Sequence, residues 1–396
     1  MHRLSLNWIL AIAFFICRLI FIISTPLDGI KGYGDFVHFY HLAQMGAPFL
    51  DYWVEFPPIF PFLSWLIYQI AGGQQHIYDY LLLIILTLVQ TGSLVVFANL
   101  VKQVKPRSNH MVSIAAYFLV SLILAYNWWY FDVLAVMTLL LGLLWIFNGK
   151  HIRAVVILAV GTLIKLFPAL AICLIWRHSS LKKAVLLTSI LVLIVVGAYM
   201  VLFSVAPEFT KASILSQSSK GSWETVWALI DGNYRTGNFG AEVERLDAAT
   251  ADNLLGNPPR VSPWVTLPVF LLIGGYFYLR LTENQPNVQL SLLNIAFLLF
   301  FLWMPGWSPQ WILYLIPVFL LIFDDSEGII ISGIVILINL LEWPVLLSRG
   351  YPWGLWLTIP VRTIFFIFLI ILTYSRIKQF MLGRNEPIDQ GNLEYS

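Results

Sequence analysis

The chain has 396 residues, of which 59% are hydrophobic and 11% charged, with a formal net charge of +2 at pH 7 and a mean hydropathy of +0.80. That composition excludes a water-soluble globule and predicts an all-α polytopic membrane protein, because apolar runs without period-two alternation span a bilayer as helices. No basic block tracks phosphates, so nucleic acid is not an expected partner, and Cys17 and Cys173 both lie in apolar runs, which gives no disulfide framework.

Taking about 20 apolar residues as the template for a spanning helix, the sequence predicts ten full spans at 6–24, 78–101, 110–126, 131–148, 184–205, 263–280, 288–304, 310–323, 328–347 and 353–375. The first run lacks a small-residue cleavage site and reads as a retained span. Two stretches depart from the template. Residues 57–73 are short, proline-opened and aromatic, and 154–176 is interrupted by Lys165 and Pro168.

Positive charge decides both, since short cytoplasmic loops carry the excess of Lys and Arg. Thirteen of the 23 lysines and arginines, at 3, 102–107, 150–153, 177–183, 280 and 376–384, fall on one side under this topology. Seven fall on the other: Lys31, Lys211, Lys220, Arg235, Arg245, Arg260 and Arg349. Both termini are then cytoplasmic. Residues 57–73 form an interfacial or re-entrant helix on the external side, and 154–176 becomes a pair of half-spans meeting at Lys165-Leu166-Phe167-Pro168. A single membrane domain is predicted over 1–375, with a short cytoplasmic tail at 376–396 and two sizeable external regions, 25–77 and 206–262. The second is polar yet rich in tryptophan, which favours a functional loop over a disordered one.

Chemistry concentrates at the external face. Asp35, His38 and His41 share one face of a predicted interfacial helix. Asp35 has two readings: a cap for that helix, or a general base whose basicity is raised by burial at the mouth of the bundle. His38 and His41 are candidate ligands for a divalent cation, or hydrogen-bond donors to their neighbours. Glu55 is fixed by Pro57 and Pro58 and either contacts substrate or complements a helix N-terminus. Asp132 follows the aromatic turn Asn127-Trp128-Trp129-Tyr130-Phe131 at the same level as Asp35, so the two acids can bind a divalent cation or divide base and substrate-positioning roles between them. Lys165, near mid-membrane, is costly unless paired or wetted. With Arg18 and Arg362, also inside apolar runs, it can supply a positive field for a lipid phosphate or pair with a membrane carboxylate. At Pro305-Gly306-Trp307-Ser308-Pro309-Gln310-Trp311 the helices break, leaving Gln310 and two indoles, among them Trp311, to contact a sugar.

Gly34-Asp35-Phe36 with Tyr40-His41-Leu42-Ala43, Glu55-Phe56-Pro57-Pro58, Asn127 to Asp132, Leu163 to Pro168 trailed by Arg177, Ser222-Trp223-Glu224-Thr225-Val226-Trp227-Ala228-Leu229, and Ser308-Pro309-Gln310-Trp311 stand in this order along most of the chain. Together they resemble glycosyltransferase family 87, of the GT-C superfamily of membrane enzymes. The resemblance implies a GT-C-like helical bundle in the cell membrane. The implied activity is inverting transfer of a hexose, often mannose, from a polyprenyl-phosphate carrier to a lipid or glycan acceptor at the external face, with Asp35 as catalytic base. Trp128-Trp129-Tyr130 replace the glycine-glutamine turn of that family, which sets Asp132 apart from its pattern. Broken helices and buried positive charge also suit a transporter or flippase of a lipid-linked glycan, although the inverted repeats such a protein would carry are not evident.

Overall fold

The computed structural model describes residues 6–31, 35–105, 110–237 and 239–385. Arg3, Gly34, Arg107 and the tail from 386 onward, all used above, lie outside the described residues. Among the described residues the regular structure is helical, with only isolated bridges and no strand.

The helices follow the apolar runs closely. They are α1 (Leu6–Ser24), α2 (Asp35–Gln44), α3 (Ile59–Ile70), α4 (Gln75–Val104), α5 (His110–Ile123), α6 (Asp132–Phe147), α7 (His151–Thr162), α8 (Ile172–His178) and α9 (Leu181–Val205). Beyond these come α10 (Pro207–Ser219), α11 (Val226–Asp231), α12 (Pro263–Arg280), α13 (Pro286–Trp303), α14 (Ile312–Ile322), α15 (Asp325–Leu340) and α16 (Leu355–Asn385). Six stretches, Asn7–Ser24, Gln75–Val104, Leu181–Val205, Pro286–Trp303, Asp325–Arg349 and Pro352–Gln379, are long and apolar enough to cross a membrane. Helices α5, α6 and α14 are shorter than the template, and α12 is not among the six. Six of the ten expected full spans thus fall on helices of that length and composition. Helix α16 continues without a break from Leu355 to Asn385.

Two faces of chemistry run along the bundle. Leu186, Leu193 and Met200 on α9, Leu272 and Leu279 on α12, and Ile364 and Ile371 on α16 are more than half exposed. Such a continuous apolar belt is stable against lipid and not against water. Inside it, one large core joins α1, α4, α6, α13 and α14 through residues such as Phe14, Leu86, Leu139, Phe297 and Tyr314.

The polar contacts sort into two ends. At one, Lys102 donates to Asn7, Lys105 pairs with Asp325 at 2.9 Å, Gln103 donates to Asn148 and Arg376 pairs with Glu327. These include the charges that the sequence groups on the cytoplasmic side. The other end carries α2, α3, the turn at 126–129, the 206–262 segment and the 304–311 loop.

Helices α7 and α8 are separated by a break at 163–166 and a 3-10 turn over Phe167–Ala171, as Lys165 and Pro168 predict. Their outer ends return to the same place, with the His151 and His178 rings 5.8 Å apart. The segment is a hairpin, and its apex lies level with the start of α6. Lys165 Nζ is 3.8 Å from a carboxylate oxygen of Asp132, the first residue of α6. The 16 residues of α6 rise about 24 Å and the 12 of α7 about 18 Å. The non-helical residues 163–165 make up the difference, so the hairpin reaches the upper end of α6. Helix α3 begins at this apex, with Ile59 N donating to Leu163 O at 3.0 Å, and with 12 residues it is too short to cross.

Candidate active site

At the upper end of the bundle, α2 forms because Phe36, Phe39, Leu42 and Ala43 fall on one buried face. That burial aims the opposite residues, Asp35, His38 and His41, toward the 206–262 segment and the hairpin apex. Asp35 accepts a hydrogen bond from the Tyr130 hydroxyl and lies within the fields of His38, Lys165 and Asp132. Burial raises its pKa to about 6, a rise that His38, Tyr130 and Lys165 partly oppose.

Lys165 packs its ammonium 4.9 Å from the Phe131 ring centroid and 5.3 Å from that of Phe56, and its side chain keeps 14% exposure. Asp132 is fully buried and receives the Tyr314 hydroxyl at 3.2 Å. Of the two roles open to Lys165 in the sequence, pairing with a membrane carboxylate is the one observed. Asp132, held between Tyr314 and Lys165, is the counter-charge to Lys165 beneath the site.

Glu55 is buried, with one oxygen 2.8 Å from Arg245 and 3.6 Å from His38 Nε2, while Oε2 has no hydrogen-bond partner among the described residues. Burial alone would raise this carboxyl. The Arg245 charge and His38 outweigh it and hold Glu55 well below the usual carboxylate range. His38 Nδ1 and His41 Nδ1 both contact Glu242, at 2.6 and 3.0 Å. Burial would lower His38, but Glu242 and Glu55 bring it up to about 9. The two histidines are therefore committed to a carboxylate, and no group of three or more His, Cys, Asp or Glu among the described residues is placed to hold a metal ion. His38 and His41 thus act as hydrogen-bond partners of Glu242, the second of the roles the sequence leaves them.

Two expected cations lie elsewhere. Arg18 is fully buried and donates to Thr87 at 3.1 Å, Gln90 at 2.5 Å and the carbonyls of Ser121 and Asn127, with its guanidinium 3.4 Å from the Trp128 ring centroid. It braces the 126–129 turn and has no face left for a substrate. Arg362 pairs with Glu342 at 2.5 Å, donates to the Glu224 carbonyl and lies 4.9 Å from the Trp307 ring centroid. It belongs to a second cluster, in which burial and the neighbouring Glu342 charge drive Glu224 well above the usual carboxylate range.

The indoles at 303–311 are also more committed than the sequence suggests. Trp307 is buried and donates to Asn339 at 2.9 Å, and Trp303 donates to Pro263 O. Trp311 is buried edge-on against Phe167 and Trp223 and stacked on Phe301, and its Nε1 has no partner among the described residues. Gln310 beside it is half-buried. This loop is bonded to the 206–262 segment: Trp223 N donates to Pro305 O and Trp307 N to Trp223 O. Only glycine fits at 306, where an added Cβ would lie 2.2 Å from the Trp223 ring.

Below that junction, α12, α13 and α16 enclose a cavity of about 400 Å³, walled by Phe270, Ile273, Leu299 and Phe366, with Thr225 and Arg362 as polar lining. Lys220, Arg245, Glu242, Glu224 and Glu342 also belong to these clusters and were not singled out from the sequence. Glu342 offered a signal, as an acid inside an apolar run. The others depend on how the 206–262 segment folds over α2 and residues 53–55, which no local pattern encodes.

Compared with protein-family models, curated proteins and solved structures, the chain matches none of them.

Proposed function

We propose that this protein is a membrane glycosyltransferase of GT-C type that moves a hexose, with mannose the first candidate, from a polyprenyl-phosphate carrier to a lipid or glycan acceptor at the external face. The observation that carries the proposal is Asp35. It is a carboxylate brought to about 6 by burial, and a tyrosine and a lysine from separate elements act on it. A base of that strength is largely ionised at neutral pH and still accepts a proton from a polarised hydroxyl.

In the proposed reaction Asp35 takes the acceptor's hydroxyl proton as the oxygen attacks the anomeric carbon. The bond from that carbon to the phosphate oxygen breaks on the opposite side, and the lipid phosphate leaves with the electron pair, giving inversion. Lys165 supplies positive charge toward the departing phosphate. The apolar cavity between α12, α13 and α16 suits the hydrocarbon part of a lipid substrate. The remaining short helices are proposed to complete the crossings, with the positively charged end cytoplasmic.

The test is transfer of radiolabelled hexose from a polyprenyl-phosphate donor by the purified protein. Asp35→Asn is expected to lower transfer by about 10²- to 10⁴-fold while thermal stability in detergent stays near wild type. An active Asp35→Asn protein would refute the assignment. The broken α7–α8 hairpin also suits a flippase of lipid-linked glycan, and the same assay separates the two, since a flippase forms no glycosidic bond.

A further inference from the structure

Around the site several cations are matched to a carboxylate: Lys165 to Asp132, His38 and His41 to Glu242, and one edge of Arg245 to Glu55. Lys220 is not. Its Nζ lies 4.4 Å from the Trp223 ring centroid and 4.3 Å from that of Phe239, and among the described residues it forms no hydrogen bond or ion pair. Arg245 packs against the same Phe239 ring, its guanidinium carbon 5.5 Å from the centroid and 5.1 Å from that of Trp53. Although only 2% exposed, Arg245 has two nitrogens, Nε and Nη1, with no partner among the described residues.

The backbone holds these groups in place. Gly221 N donates to Leu255 O at 3.0 Å and Leu255 N to Ser219 O at 3.1 Å, which brackets Lys220. A Cβ at Gly221 would lie 2.6 Å from Leu255 O. Trp53 N donates to Arg245 O at 3.0 Å, which seats Arg245 beside Glu55. The result is a pair of cations on one aromatic ring with unused donors, and buried donors without acceptors are costly in a folded protein.

We propose that Lys220 and Arg245, with the Phe239 ring between their walls, form a subsite for a phosphate ester, the headgroup of the lipid carrier. A phosphate suits the arrangement because its several anionic oxygens accept from a forked guanidinium and a point-charge ammonium at once. The subsite rests on the transferase reading for the identity of the ligand, and it replaces Arg18 and Arg362 as the partners of Lys165. Glu55, Glu224, Lys165, Arg235 and Arg245 are charged groups that act on Lys220, whose pKa burial lowers to about 7. Binding of an anion there draws a proton onto the amine.

The experiment is calorimetric titration of the full-length protein in detergent at pH 8 with farnesyl phosphate, inorganic phosphate and farnesol, in two buffers of different ionisation enthalpy. Farnesyl phosphate is expected to bind with uptake of up to one proton, and farnesol far more weakly. Lys220→Met should weaken farnesyl phosphate by about 10- to 100-fold and abolish the uptake. Lys220→Arg should keep the affinity without the uptake, a result that loss of folding cannot mimic. Unchanged affinity and proton uptake in Lys220→Met overturn the subsite, even if wild-type transfer is intact. Inorganic phosphate binding as tightly as farnesyl phosphate overturns the lipid source. Lys220-dependent binding in a protein that transfers no sugar keeps the subsite and removes the transferase reading.

Discussion

Arg18 and Lys220 are both cations set among aromatic rings, and the contrast between their surroundings separates structure from function in this molecule. Around Arg18, Thr87, Gln90 and two backbone carbonyls take up the guanidinium donors before any ligand arrives. Around Lys220 the walls are Trp223 and Phe239, which attract a positive charge but accept none of its protons in a conventional hydrogen bond. A buried cation with every nitrogen bonded holds two pieces of chain together. One with its donors idle is a place where an anion gains more than it loses on leaving water.

The contrast can be broken most severely at Arg18. Arg18→Ala leaves Gln90 Oε1 without its donor and opens a cavity beside Trp128, and it is expected to cost about 2 to 5 kcal/mol, read as a large fall in the thermal midpoint in detergent. Transfer per folded molecule should not change. Lys165 is intermediate, being paired but partly exposed. Lys165→Ala strands the buried Asp132 carboxylate and should cost up to about 3 kcal/mol. Adding Asp132→Asn should restore the midpoint without restoring transfer, whereas recovery of both would make Lys165 purely structural.

Acidity gives a smaller effect. With Asp35 at about 6, the ionised base is the active form, so transfer should rise with pH through about 6 and level off above 7. At pH 5 roughly a tenth of the plateau should remain, and a profile flat from 5 to 7 would contradict the role of Asp35. The smallest change is expected at the other pole of the comparison: Lys220→Met removes no hydrogen bond and should move the thermal midpoint by less than about 1 kcal/mol equivalent. A large loss of stability there would mean that Lys220 is braced as Arg18 is.

How much of this was legible beforehand varies with the range of the interaction. The helical class, the positions of the apolar segments, the break at Lys165 and Pro168, and the return of that segment to its own side all follow from runs of side chains and from where Lys and Arg fall. These are properties of contiguous chain responding to a slab of low dielectric. The amphipathic helix starting at Asp35 is equally local, since Phe36, Phe39, Leu42 and Ala43 set its buried face. How high the hairpin apex stands beside α6 is not a local property, because a count of residues cannot tell that α6 is itself short.

What only the tertiary structure decided is which polar groups find each other. In isolation Arg18, Arg362 and Lys165 are basic residues inside apolar runs, and Lys220 is one more basic residue in a polar segment. Their difference lies in partners 69 residues away at Thr87, 20 away at Glu342, across the α6–α7 hairpin at Asp132, or absent among the described residues. The bilayer's demand for apolar surface is written residue by residue. The satisfaction of buried charge depends on contacts between distant segments, and it is settled only when the bundle closes.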